Sequence, residues 1–229
     1  PLLICIHGGG FSGGDKRGFR DDGDLIRLML NEGISLAAIN YRLTDGGENP
    51  YPIPMLDGAR AVQFLRHQAK KYNLDKDRFA ATGGSAGGCM LMWLGFHPDL
   101  AKPDDEDAVL RESSRLQVLA PHGGQSSLHL PTLAKWFGVE SLQVHPAYWP
   151  LFAIEEGPIK STDRFDAAMR DASPITHLTI DDPPIYLSYG ERNVAVIAES
   201  SPDIWVHHPI MGLKLQEAMK ALKLECHVE

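Results

Sequence analysis

Six short apolar segments alternate with stretches of helical periodicity along this chain of 229 residues. The segments are Pro1–Ile6, Ile34–Asn40, Arg78–Gly84, Leu116–Pro121, Pro184–Gly190 and Leu224–Val228. Between them, apolar or small positions recur three and four residues apart, most clearly from Met55 to Tyr72 and from Met211 to Leu222. Nearly continuous apolar strands separated by helices are typical of a parallel sheet covered on both faces. The sequence therefore predicts an α/β fold with a doubly wound, mostly parallel sheet.

Composition excludes several classes of function. The net charge of −8 and the lack of a basic stripe argue against a nucleic-acid partner. The sequence has no run of 18 apolar residues, so no membrane-spanning helix is predicted. Cys5, Cys89 and Cys226 are odd in number and widely spaced, which favours buried free thiols over a disulfide framework or a zinc site.

We expect a single domain over residues 1–229, with two segments outside the alternation. Residues 99–115 form a polar excursion, and its acidic run 104–107 lacks the spacing of a calcium loop, so a solvated loop or helix start is expected. Residues 123–182 are long for a connection and predict a cap or a pocket wall. Its aromatic side chains are the candidates for that wall: Trp136, Phe137, Tyr148, Trp149 and Phe152.

A serine among glycines, "TGGSAGG", lies between the third strand and the buried helix Ala86–Phe96. The pattern G-x-S-x-G fits a strand-to-helix turn so sharp that larger side chains at Gly83 and Gly87 would collide. Such a turn strains the serine backbone and holds its hydroxyl beside a helix N-terminus, where amide groups favour negative charge. Ser85 is therefore the candidate nucleophile.

A second glycine-rich motif, "HGGGF", directly follows the first strand. Consecutive glycines let backbone amides approach a substrate and donate to an oxyanion. His7 is interpreted as a structural residue that fixes this loop. Gly8, Gly10 and Gly13 also match G-x-G-x-x-G, but no helix opens there and the second strand ends without an acid, which disfavours a dinucleotide site.

Five stretches of the sequence resemble the esterase/lipase branch of the α/β-hydrolase fold, the hormone-sensitive-lipase-like carboxylesterases. They are "HGGGF", "NYRL", "YPIPMLDGARAVQFLR", "NLDKDRFAATGGSAGG" and "PPIYLSYGE". The resemblance runs from Pro1 to about His227. It implies an eight-stranded sheet of which this chain holds the last six strands. It also implies an oxyanion hole formed by the amides of Gly8, Gly9, Gly10 and Ala86.

The family pattern places the catalytic acid after the strand "PIYLSYG", but Asn193 stands where its aspartate is expected. An amide does not stabilise an imidazolium as a carboxylate does. Asp203, in the loop before "WVHHP", is the first candidate for the acid. Two alternatives remain open: that the family position has lost its acid, with Asn193 in its place, or that Glu191 is the acid.

The family histidine follows the last strand, "LECHV", whereas this sequence stops at Glu229. His207 and His208 are interpreted as helix-start or core residues, and His227 lies inside the predicted strand. The sequence also begins inside a strand without a methionine. We therefore expect a chain trimmed at both ends, with the base a few residues beyond Glu229. The adjacent histidines lack metal-ligand spacing, so no metal is expected.

The sequence thus predicts a carboxylic ester hydrolase that forms an acyl-enzyme on Ser85. Asp203 would orient the histidine base. The substrates would be short-chain or small esters, and no cofactor would be required. Its partner would be a small-molecule ester. A serine peptidase on the same fold and a non-catalytic binding relative with a degenerate triad stay open as alternatives.

Overall fold

The computed structural model describes residues 1–155, 163–190 and 193–229, which contain one six-stranded sheet. Its strands are β1 (Leu2–Ile6), β2 (Ser35–Ile39), β3 (Phe79–Gly84), β4 (Val118–His122), β5 (Ile185–Leu187) and β6 (Cys226–Val228). They lie in the order β2-β1-β3-β4-β5-β6, and each neighbouring pair is parallel. All six predicted strands are present, and the predicted doubly wound parallel fold is confirmed.

Helices fill the connections between these strands. They are α1 (Gly23–Asn31), α2 (Ile53–His67), α3 (Ala86–Phe96), α4 (Leu130–Phe137), α5 (Tyr148–Phe152), α6 (Asp163–Asp171), α7 (Pro202–Trp205) and α8 (Ile210–Ala221). The apolar spacing predicted that the second helix continues to Tyr72. The helix instead ends at His67, and the chain turns through Asn73, whose φ is 54°.

The core is built around α3, all of whose residues are buried, as its uniformly apolar sequence predicts. Glycines allow close packing of side chains at two of its contacts. A methyl group on Gly58 of α2 would lie 2.7 Å from Met90 Sδ, and one on Gly95 would lie 2.5 Å from Leu119 Cδ1 of β4. This packing fixes the N-terminus of α3 at the carboxyl ends of the central strands.

A buried arginine that the sequence analysis did not single out holds the polar excursion at 99–115. The guanidinium of Arg66 in α2 donates to the backbone carbonyls of Ser113 and Arg115 and lies 4.8 Å from the ring centre of Phe79. In the acidic run, Asp107 pairs with Arg60. The pair between Asp107 and Arg60 is partly exposed, which agrees with the solvated loop expected for the acidic run.

The three cysteines are free thiols; Cys5 and Cys89 are buried, whereas Cys226 is half-buried on β6. Within the described residues, no helix is long and apolar enough to cross a membrane. The same part of the chain contains no cluster of three or more His, Cys, Asp or Glu residues that could hold a metal ion.

Candidate active site

Ser85 occupies the turn between the end of β3 and the first residue of α3. Its φ of 52° and ψ of −119° lie outside the regions that L-residues favour, a conformation that costs about 1–3 kcal/mol. The surrounding structure maintains it: the Ser85 amide donates to the carbonyl of His122 at 2.9 Å, and its own carbonyl accepts from the Cys89 amide at 2.8 Å. The strained turn predicted from G-x-S-x-G is confirmed.

The glycines on either side of the turn are required by the backbone of β1. A methyl group at Gly83 would lie 2.4 Å from the carbonyl oxygen of Ile6, and one at Gly87 would lie 2.2 Å from that same oxygen. Real Cβ atoms do not approach backbone oxygens so closely. The end of β1 therefore passes directly against the turn and carries the glycine loop to Ser85.

The glycine loop presents free amide groups beside the serine. Gly9 and Gly10 have φ values of 109° and 59°, and a methyl group on Gly8 would lie 2.8 Å from Gly84 O and 3.3 Å from Ser85 Cβ. Within the described residues, the N–H groups of Gly9, Gly10 and Ala86 donate no hydrogen bond. These three residues share a cavity lining with Ser85, whereas Gly8 packs beneath the turn.

The side chain of His7 holds the same glycine loop in place. Its ring is buried, stacks on Tyr41 at 4.3 Å and places Nδ1 2.8 Å from the carbonyl oxygen of Gly8. The Tyr41 hydroxyl in turn donates to the carbonyl of His7 at 3.0 Å. This geometry is that of a structural residue, the role expected for His7.

The histidine beside the serine comes from the segment "WVHHP", whose histidines were expected to be helix-start or core residues. Nε2 of His207, which lies between α7 and α8, is 2.8 Å from Ser85 Oγ. The Gly123 backbone flanks the ring: a methyl group there would lie 3.5 Å from His207 Cδ2. The interpretation of His207 as a helix-start or core residue is wrong.

Two other candidate histidines have different surroundings. His208 is buried; its Nε2 donates to the carbonyl of Val194 at 2.9 Å, and its ring packs edge-on against Phe137. Its Nδ1 also accepts from the Ile210 amide at 3.0 Å, so His208 lies just before α8 and binds its first residue, in agreement with a helix-start or core residue. His227 is exposed and lies 3.0 Å from Glu225. Chain order was the one available signal for His207, since it follows Ser85 and Asp203 in the order serine, acid, histidine.

Neither Asp203 nor Asn193 forms a hydrogen bond with the His207 ring within the described residues. Asp203 is exposed and accepts from the hydroxyl of Ser201 at 3.4 Å. In the described ranges it forms no ion pair with a histidine within 4.0 Å, and Nδ1 of His207 has no hydrogen bond. Asn193 is exposed, and Glu191 lies outside the described residues. Asp203 therefore stays a prediction.

A cavity of about 360 Å³ opens at Ser85. It is lined by Gly9, Gly10, Phe11, Ser85, Ala86, Gln125, Leu128, His145, Ala147, Tyr148, Leu151, Val206 and His207. Five of these come from residues 125–148, and of the aromatic residues proposed for the wall Tyr148 lines the cavity. Gln125 and His145 were not predicted as site residues, because no local motif marks a residue that reaches a site through a long connection.

The parallel sheet, the strained serine after a central strand and the adjacent glycine loop define an α/β-hydrolase. Comparison with known proteins confirms the resemblance to the esterase/lipase branch of that fold. The chain belongs to the BD-FAE family, which it matches over residues 1–206.

The relatives found by comparison include two proteins of Mycobacterium tuberculosis. The probable carboxylic ester hydrolase LipM is 29% identical over 199 residues, which cover 86% of this chain and 42% of LipM. The esterase LipQ is 25% identical over 206 residues, which cover 88% of this chain and 44% of LipQ. The chain thus spans less than half the length of these curated relatives.

A solved structure shows the same fold. The acetyl ester-xyloside bifunctional hydrolase from Caldicellulosiruptor lactoaceticus has a TM-score of 0.71 at 23% identity, covering 100% of this chain and 71% of that protein.

Proposed function

We propose that this chain hydrolyses carboxylic esters through Ser85, with His207 as the general base. The observation that carries the proposal is the distance of 2.8 Å between Ser85 Oγ and His207 Nε2, which is short enough for direct proton transfer. The strained backbone of Ser85 and the free amides beside it support the same assignment. The relatives named as esterases agree with it.

In the first half-reaction, Ser85 Oγ attacks the ester carbonyl carbon while its proton passes to Nε2 of His207. The carbonyl oxygen becomes an oxyanion beside the amides of Gly9, Gly10 and Ala86. When the tetrahedral intermediate collapses, the bond to the alcohol oxygen breaks and His207 returns the proton to the departing alcohol. The product of this step is an acyl ester on Ser85.

In the second half-reaction, water attacks the acyl carbon and gives a proton to the same Nε2. The bond to Ser85 Oγ then breaks, and His207 restores the proton to the serine. The carboxylic acid leaves, and the chain returns to its starting state without a cofactor.

The cavity supports a preference for small esters. Its volume of about 360 Å³ lies at the low end of the range for small-molecule sites. Leu128, Tyr148, Leu151 and Val206 contribute apolar surface. We propose that residues 123–182 act as a pocket wall within a single domain, which agrees with the position of Tyr148 and its neighbours in the lining.

We retain Asp203 as the proposed orienting acid, because Asp203 and His207 both lie near enough to act on the same ring: burial lowers the pKa of His145 overall, the charge of Asp203 opposes this, and His207 adds to it. Replacing Asp203 by Asn should lower kcat/KM by about 10-fold or more if its charge stabilises the imidazolium. Asn193→Asp is the matched variant, since it places a carboxylate at the position used by the family. Unchanged kcat/KM in Asp203→Asn would remove Asp203 from the mechanism.

The central experiment measures steady-state hydrolysis of p-nitrophenyl acetate and butyrate by the wild type and by two variants. Ser85→Ala should lose turnover by at least about 1,000-fold, and His207→Asn by about 100- to 10,000-fold. His227→Asn is the matched control and should retain wild-type kcat/KM, because His227 is exposed on β6.

Equal activity in wild type and Ser85→Ala would overturn the nucleophile, and full activity in His207→Asn would overturn the base. A folded wild type with no Ser85-dependent turnover would favour a non-catalytic binding role. Parallel assays with the matched p-nitroanilide would separate an esterase from a peptidase.

A further inference from the structure

His145 is a second histidine in the lining of the Ser85 cavity. The amide of Ala147 donates to its Nδ1 at 3.2 Å. A ring nitrogen that accepts a hydrogen bond carries no proton, so the neutral ring carries its proton on Nε2. Within the described residues, Nε2 of His145 has no hydrogen-bond partner.

The surroundings of His145 favour its neutral form. Burial lowers the pKa of His145, nearby Asp203 acts in the opposite direction, and His207 lowers the pKa further. The ring also packs edge-on against the buried Trp205 at 6.5 Å. At neutral pH the cavity therefore contains an uncharged N–H donor fixed in one tautomer by the backbone.

The other side-chain donors in the lining are already in use. The amide nitrogen of Gln125 donates to the carbonyls of Gly123 at 3.1 Å and Val206 at 2.8 Å. The hydroxyl of Tyr148 donates to Leu128 at 3.0 Å, and the Ser85 hydroxyl is paired with Nε2 of His207. Apart from the second nitrogen of His207, Nε2–H of His145 is the free side-chain donor among the described lining residues.

We propose that His145 is a specificity-determining residue that donates from Nε2 to a substrate oxygen other than the scissile carbonyl oxygen. The site then favours esters that carry an additional oxygen acceptor over alkyl esters of the same size. This inference rests on the proposed ester hydrolysis at Ser85. The acceptor oxygen can belong to the alcohol part or to the acyl part, and the two parts are tested separately.

The test compares pairs of esters in which one methylene is replaced by an ether oxygen. On the alcohol side the pair is 2-methoxyethyl acetate and butyl acetate; on the acyl side it is p-nitrophenyl 3-methoxypropanoate and p-nitrophenyl pentanoate. The quantity measured is the ratio of kcat/KM for ether over alkyl ester, in wild type and in His145→Asn. Dividing the two ratios cancels the intrinsic reactivity of each ester.

His145→Asn is chosen because the Asn Oδ1 can replace Nδ1 as acceptor for the Ala147 amide, while the Nε2 donor is lost. The ratio should fall by about 3- to 10-fold for one of the two pairs, the size expected for one neutral hydrogen bond. His67→Asn, an exposed substitution on α2, should leave both ratios and the overall activity at wild-type values.

Three outcomes are distinguishable. A fall for the alcohol pair or for the acyl pair supports the inference and identifies which part of the ester His145 contacts. Ser85-dependent turnover with both ratios unchanged in His145→Asn overturns the inference and leaves the proposed function intact. Absence of Ser85-dependent turnover on all four esters overturns the proposed function and the inference together.

Discussion

At the scale of single residues, Gly87 shows how closely the backbone encloses the serine turn. A methyl group there would lie 2.2 Å from the carbonyl oxygen of Ile6 and 2.7 Å from that of His7, and both atoms belong to backbone that cannot move aside. Gly87→Ala should therefore destabilise the fold by about 3 kcal/mol and lower Tm by roughly 6–12 °C. Thermal unfolding followed by circular dichroism measures this change.

Gly23→Ala is the matched control, because a methyl group at Gly23 meets no atom within 4 Å and the residue begins α1. Its Tm should stay close to that of the wild type. Equal Tm values for the two variants would contradict the packing account of the turn.

The strain at Ser85 has its own measurable effect. Because its φ of 52° is unfavourable for any residue with a Cβ atom, Ser85→Gly should be more stable than Ser85→Ala by about 1 kcal/mol, although both lack the hydroxyl. Urea unfolding of the two variants measures the difference. In α2, where the backbone is helical, Ala61→Gly should instead lose about 1 kcal/mol. A Ser85→Gly variant that is the less stable of its pair would show that the turn stores no strain.

These residues also show what sequence can and cannot predict. Ser85, Gly83 and Gly87 were predictable because a sharp turn is encoded within five consecutive residues. His207 lies 122 positions from Ser85, and its place depends on how the chain between α7 and α8 packs against the sheet. No local pattern shows that His207 lies beside Ser85. The family pattern instead placed the histidine after the last strand, beyond Glu229.

At the scale of elements, an ion pair joins the segment after β2 to helix α2. Arg42 donates to Asp57 from Nε at 2.9 Å, from Nη2 at 2.7 Å and from its backbone amide at 2.9 Å. Burial alone would raise the pKa of Asp57, but the hydrogen bonds from Arg42 outweigh it and hold the pKa below the ordinary value of 3.8. The charged carboxylate is therefore favoured in the folded state.

Because the folded pKa is depressed, this contribution to stability is present above pH 3.8 and is lost as the pH falls through the folded pKa. Asp57→Asn should cost about 1 kcal/mol in urea unfolding at neutral pH, and the gap to the wild type should shrink well below pH 3.8. Arg42→Lys is the companion variant; it keeps the charge but loses the paired geometry. A gap that stays constant with pH would assign the loss to something other than the carboxylate charge.

At the scale of the whole molecule, the strands were predictable because each is a local apolar run, and the fold followed from their alternation with helices. The three thiols report on the integrity of that fold. Burial raises the pKa of Cys5 and of Cys226 to about 11 and also raises the pKa of Cys89. Since the thiolate is the reactive form, all three should react slowly with a disulfide reagent while the chain is folded.

Titration with Ellman's reagent at mildly alkaline pH checks this expectation. The native chain should show no rapid phase, and unfolding in urea should release three thiols, or two in Cys226→Ser. A rapid phase in the native chain that disappears in Cys226→Ser would show that the β6 edge is open to solvent on the time scale of the reaction.

The close passage of β1 against the serine turn also bears on evolution. The carbonyl oxygen of Ile6 leaves no room for a side chain at Gly83 or Gly87, whether or not the chain is catalytic. Selection for folding alone therefore preserves both glycines. A related protein that had lost its hydrolase activity would still require glycine at these two positions as long as it kept the same sheet and serine turn. The histidine at position 207 has no such protection, because its hydrogen bond to the turn is made to the hydroxyl of Ser85, the group that carries the reaction. Among sequences of this type, the loss of that histidine would be an earlier sign of lost chemistry than any change in the glycine motif.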